Sequence, residues 1–282
     1  MTEALRFAAV RLYAQVYGVA KDAAGVNLPG LGFALRRIRQ PRILEVRGRR
    51  IWFDPAVAGA YERLVAGSWS EKETHAFLRR VLDAVPGPVG FADVGASIGA
   101  LAIDVAGHPG VDRVWAFEPV PASAAACRRS AELNGFGHLR VVEKALTEGV
   151  PARMRMDARA PTGSRLEEDG EAVGWGTLDG ELADASAPLV LLLDVEGAEP
   201  RVLRGGRDVL ARTRPLVIFE YNEVSRRAFA LEEVRAALGA GYWIRRLRGD
   251  ARLDARTEEA WNCVAVPEGS PFEPVCRELE LA

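Results

Sequence analysis

The sequence predicts an α/β fold, a mostly parallel sheet with helices on both faces. Two observations carry this. From about residue 90 onward, short apolar runs alternate with segments of helical periodicity, the pattern of successive strand–helix–strand units. One of those runs, Leu189 to Asp194, is apolar up to its last residue, as a strand covered on both faces should be. The 282 residues, 49% hydrophobic and 27% charged, are ordinary globular material and enough to bury a full core without disulfides.

Each element has its own signal. Leu5, Ala8, Ala9, Leu12, Val16 and Val19 recur at helical spacing over residues 3–20. The expectation is a helix docking that face on the main domain; an interfacial membrane helix or a homodimer contact is the sharper reading. Ile43–Val46 and Arg50–Phe53 read as a hairpin turning at Gly48. Ser70-Glu71-Lys72-Glu73 has the form of a capping box with Ser70 as N-cap. It opens a helix to about Ala84, with His75, Leu78, Val81, Leu82 and Val85 on one face. The first core strand is Gly90–Val94, followed by a helix from about Ser97 to Ala106. The second is Arg113–Glu118, with a helix from Pro121, a favoured first-turn residue, to Leu133. Leu139–Val142 is the third. Residues 147–176 are polar and irregular, a hairpin or a lid. Strand four is Leu189–Asp194, with a helix from Pro200 to Ala211; strand five is Leu216–Glu220. A helix over Leu231–Leu238 and strands over Tyr242–Leu247 and Trp261–Pro267 complete the pattern. The expected division is an N-terminal extension over 1–70 and a main domain over 71–282.

Composition narrows the function. A net charge of −2, from 37 basic and 39 acidic residues, gives no electrostatic reason to expect nucleic acid or an anionic membrane. No apolar run approaches the roughly 20 residues that span a bilayer, so no transmembrane segment is expected. Cys127, Cys263 and Cys276 fit neither a zinc spacing nor a paired framework, which makes a cytoplasmic location the simplest expectation. Lys21, Lys72 and Lys144 are the only lysines, an arginine bias that suits a GC-rich bacterial genome.

Asp93-Val94-Gly95-Ala96-Ser97-Ile98-Gly99 lies at a strand-to-helix junction. Gly95 permits a tight turn, and the following helix is expected to aim free N–H groups at an anion. Glu118 ends the next strand, where an acid can accept both hydroxyl hydrogens of a ribose. A glycine loop followed by an acid is a nucleoside-cofactor signature that serves dinucleotides and S-adenosylmethionine alike. The loop lacks the Gly-x-Gly-x-x-Gly spacing. Asp93 would repel a pyrophosphate and suits an ammonium group.

Strand four ends in Asp194-Val195-Glu196-Gly197-Ala198-Glu199-Pro200. Asp194 or Glu196 is placed to act as general base toward a hydroxyl. Glu199 favours the next helix's N-terminus. Glu220, Tyr221 and Asn222 end strand five on the same rim and are substrate-contact candidates, as is His75. Cys127 reads as core, and His108 and His138 as structural. No metal is expected, because no His accompanies the rim carboxylates.

Asp93–Gly99, Ala116-Phe117-Glu118-Pro119, Leu133-Asn134, Thr177-Leu178-Asp179, Asp194–Glu199 and Pro215 through Glu220 together resemble the FkbM-type methyltransferases. These are a branch of the class I S-adenosylmethionine-dependent family, and the resemblance spans roughly residues 91–245. It implies a Rossmann-like, seven-stranded, mostly parallel sheet ending in an antiparallel hairpin. It implies S-adenosyl-L-methionine as cofactor, with Asp93, Gly95, Ala96, Ser97, Gly99, Glu118, Pro119 and Ala145 as its contacts. It further implies direct in-line O-methylation of a hydroxyl on a small molecule: a sugar, glycan or secondary metabolite. Two positions depart from the family: Ser97 stands where Asn is usual, and Leu192 where Lys is usual. The rival readings are a NAD-dependent oxidoreductase and a non-catalytic cofactor-binding module.

Overall fold

The computed structural model describes residues 3–24, 38, 40–55, 62–149, 155–156, 171–258 and 260–281. Helix α1 (Glu3–Ala24) precedes the hairpin β1 (Arg42–Val46) and β2 (Arg49–Phe53), the short α2 (Glu62–Val65) and α3 (Lys72–Ala84). The alternation follows: β3 (Val89–Val94), α4 (Ala100–Ala106), β4 (Val111–Phe117), α5 (Pro121–Asn134) and β5 (Leu139–Val142). Four two-residue strands come next, β6 (Ala145–Leu146), β7 (Arg155–Met156), β8 (Glu171–Ala172) and β9 (Trp175–Gly176), then α6 (Leu178–Glu181). The core resumes with β10 (Leu189–Leu193), α7 (Glu199–Arg204), α8 (Arg207–Thr213) and β11 (Leu216–Glu220). It closes with α9 (Ser225–Ala228), α10 (Leu231–Leu238), β12 (Tyr242–Leu247), β13 (Leu253–Asp254), β14 (Asn262–Pro267) and α11 (Glu273–Leu279).

The main sheet runs β13-β12-β14-β11-β10-β3-β4-β5. Strands β3, β4, β5, β10 and β11 are parallel. β14 lies antiparallel to both β11 and β12, the hairpin the resemblance implies. An eighth strand, β13, edges β12 through Leu253 and Asp254; two residues carry no readable period. Side-chain alternation divides the core. Phe91, Val190, Leu192, Ile218 and Val264 enter one apolar cluster. Ala92, Val94, Leu191, Leu193, Val217 and Phe219 enter the other. Asp93 therefore lies on the first face, and Asp194 and Glu220 continue it past Leu192 and Ile218.

The hairpin turns through Arg47 and Gly48, both with positive φ, the backbone twist that two-residue hairpin loops favour. It packs on α5, where Asn134 Oδ1 accepts from Arg50 N at 2.9 Å and Ser130 Oγ from Trp52 N at 2.9 Å. The irregular 147–176 segment contains one antiparallel pair, β7 with β8. Much of that segment lies outside the described residues.

Four expectations are corrected. The docking face of α1 is not the predicted stripe: Leu5, Leu12, Val16 and Val19 are exposed, while Val10 and Ala14 are buried. Phe7, Tyr13 and Tyr17 pack on the core beside them, because large rings remove more apolar area from water than the smaller stripe residues do. Ser70 does not cap α3. The N-cap is Glu71, held in the left-handed region at φ 43 without a side-chain capping bond. The helix after β3 starts at Ala100, since Ser97 and Gly99 both adopt positive φ. The helix predicted over Pro200–Ala211 is two helices broken at Gly205-Gly206. A Cβ at Gly205 would stand 2.2 Å from Thr147 O.

Candidate functional site

The turn after β3 is built by backbone contacts. Gly95 has φ +94, and a Cβ there would stand 1.9 Å from Asp194 O. Gly99 has φ +81, and a Cβ would stand 2.2 Å from Cys127 Sγ. Cys127 is fully buried, so it fills space beneath the turn, and burial pushes its thiol far up and out of reactive range. The N–H groups of Gly95 and Ala96 both reach Phe117 O at 3.0 Å, and Gly99 N reaches Ala96 O at 2.8 Å. Ser97 N donates to Glu118 Oε2 at 2.9 Å. These four donors are used within the turn. Two of them are taken by the Phe117 carbonyl of β4 and one by the Glu118 carboxylate, while the helix N–H of Ala102 bonds Asp93.

Glu118 follows β4 and is 6% exposed. Its Oε1 accepts from Val120 N at 2.8 Å. Burial pushes its carboxyl up to about 7, against the pull of the Val120 and Ser97 N–H groups. Each oxygen retains a lone pair for a further donor. Asp93 is 2% exposed. Burial first, then the Glu71 and Glu118 charges, raise it to about 7, with the Ala102 N–H pulling the other way. Its register partner on β10 is Leu192, so the family's usual Lys position lies directly beside Asp93. Pro119 is buried behind Glu118, and Ala145 is half-buried at the start of β6.

The second cluster stands at the neighbouring strand ends. Asp194 N continues the ladder to Val94 O at 2.9 Å. Glu196 has φ 54, and Gly197 has φ +102 with a would-be Cβ 2.7 Å from Ala228 Cβ. One oxygen each of Asp194, Glu196 and Glu220 lies within 4.8 Å of the others. Burial and the Glu220, Glu71, Glu196 and Glu199 charges hold Asp194 well above the usual carboxylate range. Burial, then Glu196, Glu199 and Glu71, push Glu220 up to about 8. Like charges crowded in a partly dry site cannot all ionise freely.

The other predicted residues separate. Asn222 donates to Glu220 Oε1 at 2.6 Å, and its Oδ1 accepts from Val224 N and Ser225 N; it fixes Glu220 and opens α9. Tyr221 packs its ring against Phe219 and Phe229 in the second cluster, away from the rim, as alternation after Glu220 requires. His75 stacks on Trp69 at 4.8 Å, and its Nδ1 lies 2.6 Å from Asp104 Oδ2. His108 and His138 bond Asp83 and the Ala106 carbonyl.

Two rim residues were missed by the sequence reading. Glu71 brings a carboxylate from the start of α3, where its Oε2 accepts from Asn262 Nδ2 at 2.9 Å. Asn262 in turn sits opposite Glu220 in the β11–β14 ladder. Only that pairing, invisible in a linear pattern, brings the three together. A third residue was read only as a helix-terminus acid: Glu199 is 0% exposed.

Solved structures similar to this chain include an FkbM methyltransferase from Methylobacillus flagellatus KT, 19% identical, covering 62% of this chain and 42% of that one at TM-score 0.43. The chain thus spans less than half of that protein's length. M. jannaschii TYW2 in complex with AdoMet is 12% identical, covering 80% and 84% at TM-score 0.44. A precorrin-6y C5,15-methyltransferase from Geobacter metallireducens GS-15 is 13% identical, covering 70% and 90% at TM-score 0.42. No curated protein matches the chain. The FkbM methyltransferase domain matches residues 93–247, from the acid that opens the first turn to the end of β12. With more than half of its length in that match, the chain belongs to the FkbM methyltransferase family.

Proposed function

We propose that the protein is an S-adenosylmethionine-dependent O-methyltransferase acting on a hydroxyl of a sugar, glycan or secondary metabolite. The observation that carries this is the pairing of two acidic sets at the carboxyl ends of adjacent parallel strands. Asp93 and Glu118 end β3 and follow β4, and Asp194, Glu196 and Glu220 stand beyond β10 and β11. Ligands of open α/β sheets lie beyond those ends.

The residues fit the cofactor. Asp93, buried and without a cation beside it on β10, suits an ammonium group. Glu118 has its two free lone pairs for ribose hydroxyls. The Gly95–Gly99 turn disfavours NAD, because its N–H groups are already bonded internally.

When bound, S-adenosylmethionine supplies a methyl group on positively charged sulfur, an electrophile that needs little activation from the protein. The chain's task is orientation and proton removal. Asp194, held in place by the β10 ladder, would take the proton of an acceptor hydroxyl whose oxygen displaces the neutral thioether sulfur from the methyl carbon. A positioned general base is worth about 10²–10⁴-fold.

Calorimetric titration with S-adenosylmethionine tests the reading. Micromolar binding is expected in the wild type, weakened about tenfold or more in Asp93→Ala and Glu118→Ala, since bonds to charged groups are worth roughly 1.5–3 kcal/mol. Absence of wild-type binding overturns it. Binding without methyl transfer to any of a panel of hydroxyl acceptors favours the non-catalytic module.

A further inference from the structure

The stripe that periodicity marks for docking is left uncovered on α1. Phe7, Val10, Tyr13, Ala14 and Tyr17 pack that helix on its own chain. Leu5, Leu12, Val16 and Val19 face outward, each at least half exposed. Six large hydrophobic side chains are exposed among the described residues, and four of them stand here. α1 is therefore apolar on two opposite faces, and its own chain covers one. A helix apolar all round is ordinarily a buried helix. A folded chain rarely leaves a contiguous apolar band of several hundred Å² in water without a partner for it.

We propose that this stripe is a homodimer interface, in which two copies of the chain pair their α1 helices about a two-fold axis. Leu5, Ala9, Leu12, Val16 and Val19 follow one another in alternating steps of four and three. That is the spacing of a seam that packs knobs into holes against a like helix, so one stripe serves as both halves of an isologous contact. The flanks carry almost no charge. Of Arg6, Ala8, Tyr13, Gln15 and Ala20, which border the seam, Arg6 alone is charged. Gln15 turns back to its own chain, donating to Ala66 O at 3.3 Å. A full overlap of two seams thus sets no like charges opposite each other, the arrangement that would reject a second copy. An anionic lipid surface would instead call for Lys and Arg along both flanks.

Size sets the strength. Over its 22 residues α1 is about 33 Å long and, with side chains, roughly 10–12 Å wide. Pairing then covers about 350 Å² on each copy, roughly 700 Å² in all, which is the range of weak, reversible association. The dimer is expected in equilibrium with monomer and not as an obligate assembly. The inference is independent of the chemistry proposed above.

Sedimentation velocity of the full chain tests it. Between roughly 1 and 500 µM a shift from monomer to dimer is expected, with a dissociation constant on the order of 10–100 µM. Leu12→Glu, at the middle of the seam, should weaken the dimer about tenfold or more, because each dimer loses two covered leucines and gains two like charges in an apolar contact. Leu12 is 63% exposed in the single chain, so the melting curve of the monomer should be unchanged; Leu5→Glu repeats the test should it not be. The same samples are floated with vesicles of phosphatidylcholine and phosphatidylglycerol. A chain that stays monomeric at every concentration overturns the proposal. So does a dimer that both variants leave intact, since its interface then lies elsewhere. Vesicle binding by a monomeric wild type, lost in Leu12→Glu, also overturns it and assigns the stripe to a lipid surface.

Discussion

The turns after β3 and β10 are neighbours in the sheet and are built on the same plan. Each follows an apolar strand with an aspartate, places a non-glycine residue in the left-handed region, Ser97 or Glu196, and continues into a helix. They differ in how their acids are satisfied. Beside the first, Glu118 is held by two backbone N–H groups. In the second, Asp194 and Glu196 stand beside Glu220 with no cation among the described residues. The first turn's backbone is fixed by shape, with only Asp93 left to meet a ligand's charge. The second is a matter of charge and is completed by what binds.

That contrast predicts opposite sensitivities. The largest effect is expected at Gly95→Ala, where the new Cβ would meet Asp194 O at 1.9 Å and the residue must keep φ +94. Left-handed strain of about 1–2 kcal/mol adds to an overpacking cost of about 1–3 kcal/mol. The expected loss is about 3 kcal/mol or more by urea denaturation, with cofactor binding abolished. Gly135→Ala is the control: φ is +70 but nothing lies within 4 Å, so the strain cost of about 1–2 kcal/mol alone is expected. Equal losses at the two sites would refute the shape account of the first turn.

In the second turn, isosteric removal of charge should spare the fold and damage chemistry. Asp194→Asn is expected to lower single-turnover methyl transfer by about 10²–10⁴-fold, with S-adenosylmethionine affinity kept. Glu196→Gln should lower it less, because the Asp194 backbone is fixed to Val94 O in the sheet ladder while Glu196 lies in the turn beyond it. A larger loss at Glu196 would reverse the assignment of the base.

The sheet was legible because its strands are short apolar runs bounded by turn residues: Leu139–Val142, Leu216–Glu220 and Tyr242–Leu247 carry the predicted bounds. The acids at strand ends were legible for the same reason, since an acid after an apolar run marks a strand's exit. What sequence could not show depends on pairing across the chain. Glu71 looked like part of a capping box, and only the contact with Asn262 from residue 262 makes it a rim residue. The α1 face was misread because periodicity counts apolar positions without weighing ring size, and Phe7, Tyr13 and Tyr17 prevail over Leu and Val.

The smallest expected effect sharpens the comparison through pH. Asp93 sits near 7, raised first by burial. The protonated form must lose its proton before it can pair with a cationic ligand, so affinity is fully present above the folded value and falls below it, by about tenfold per pH unit for one such group. S-adenosylmethionine affinity should therefore weaken between pH 7 and 5.5 in calorimetric titrations. Leu192→Lys tests the cause. Leu192 is 6% exposed and is the register partner of Asp93, so an ammonium group there would favour the ionised carboxylate and flatten the pH dependence. Should that variant not fold, Asp93→Asn gives the same reading: a flat profile at uniformly weaker affinity. A pH slope that persists in Asp93→Asn would move its origin to Glu118, whose carboxyl is also near 7. The shape-built turn would then depend on charge at the very residue that its backbone holds.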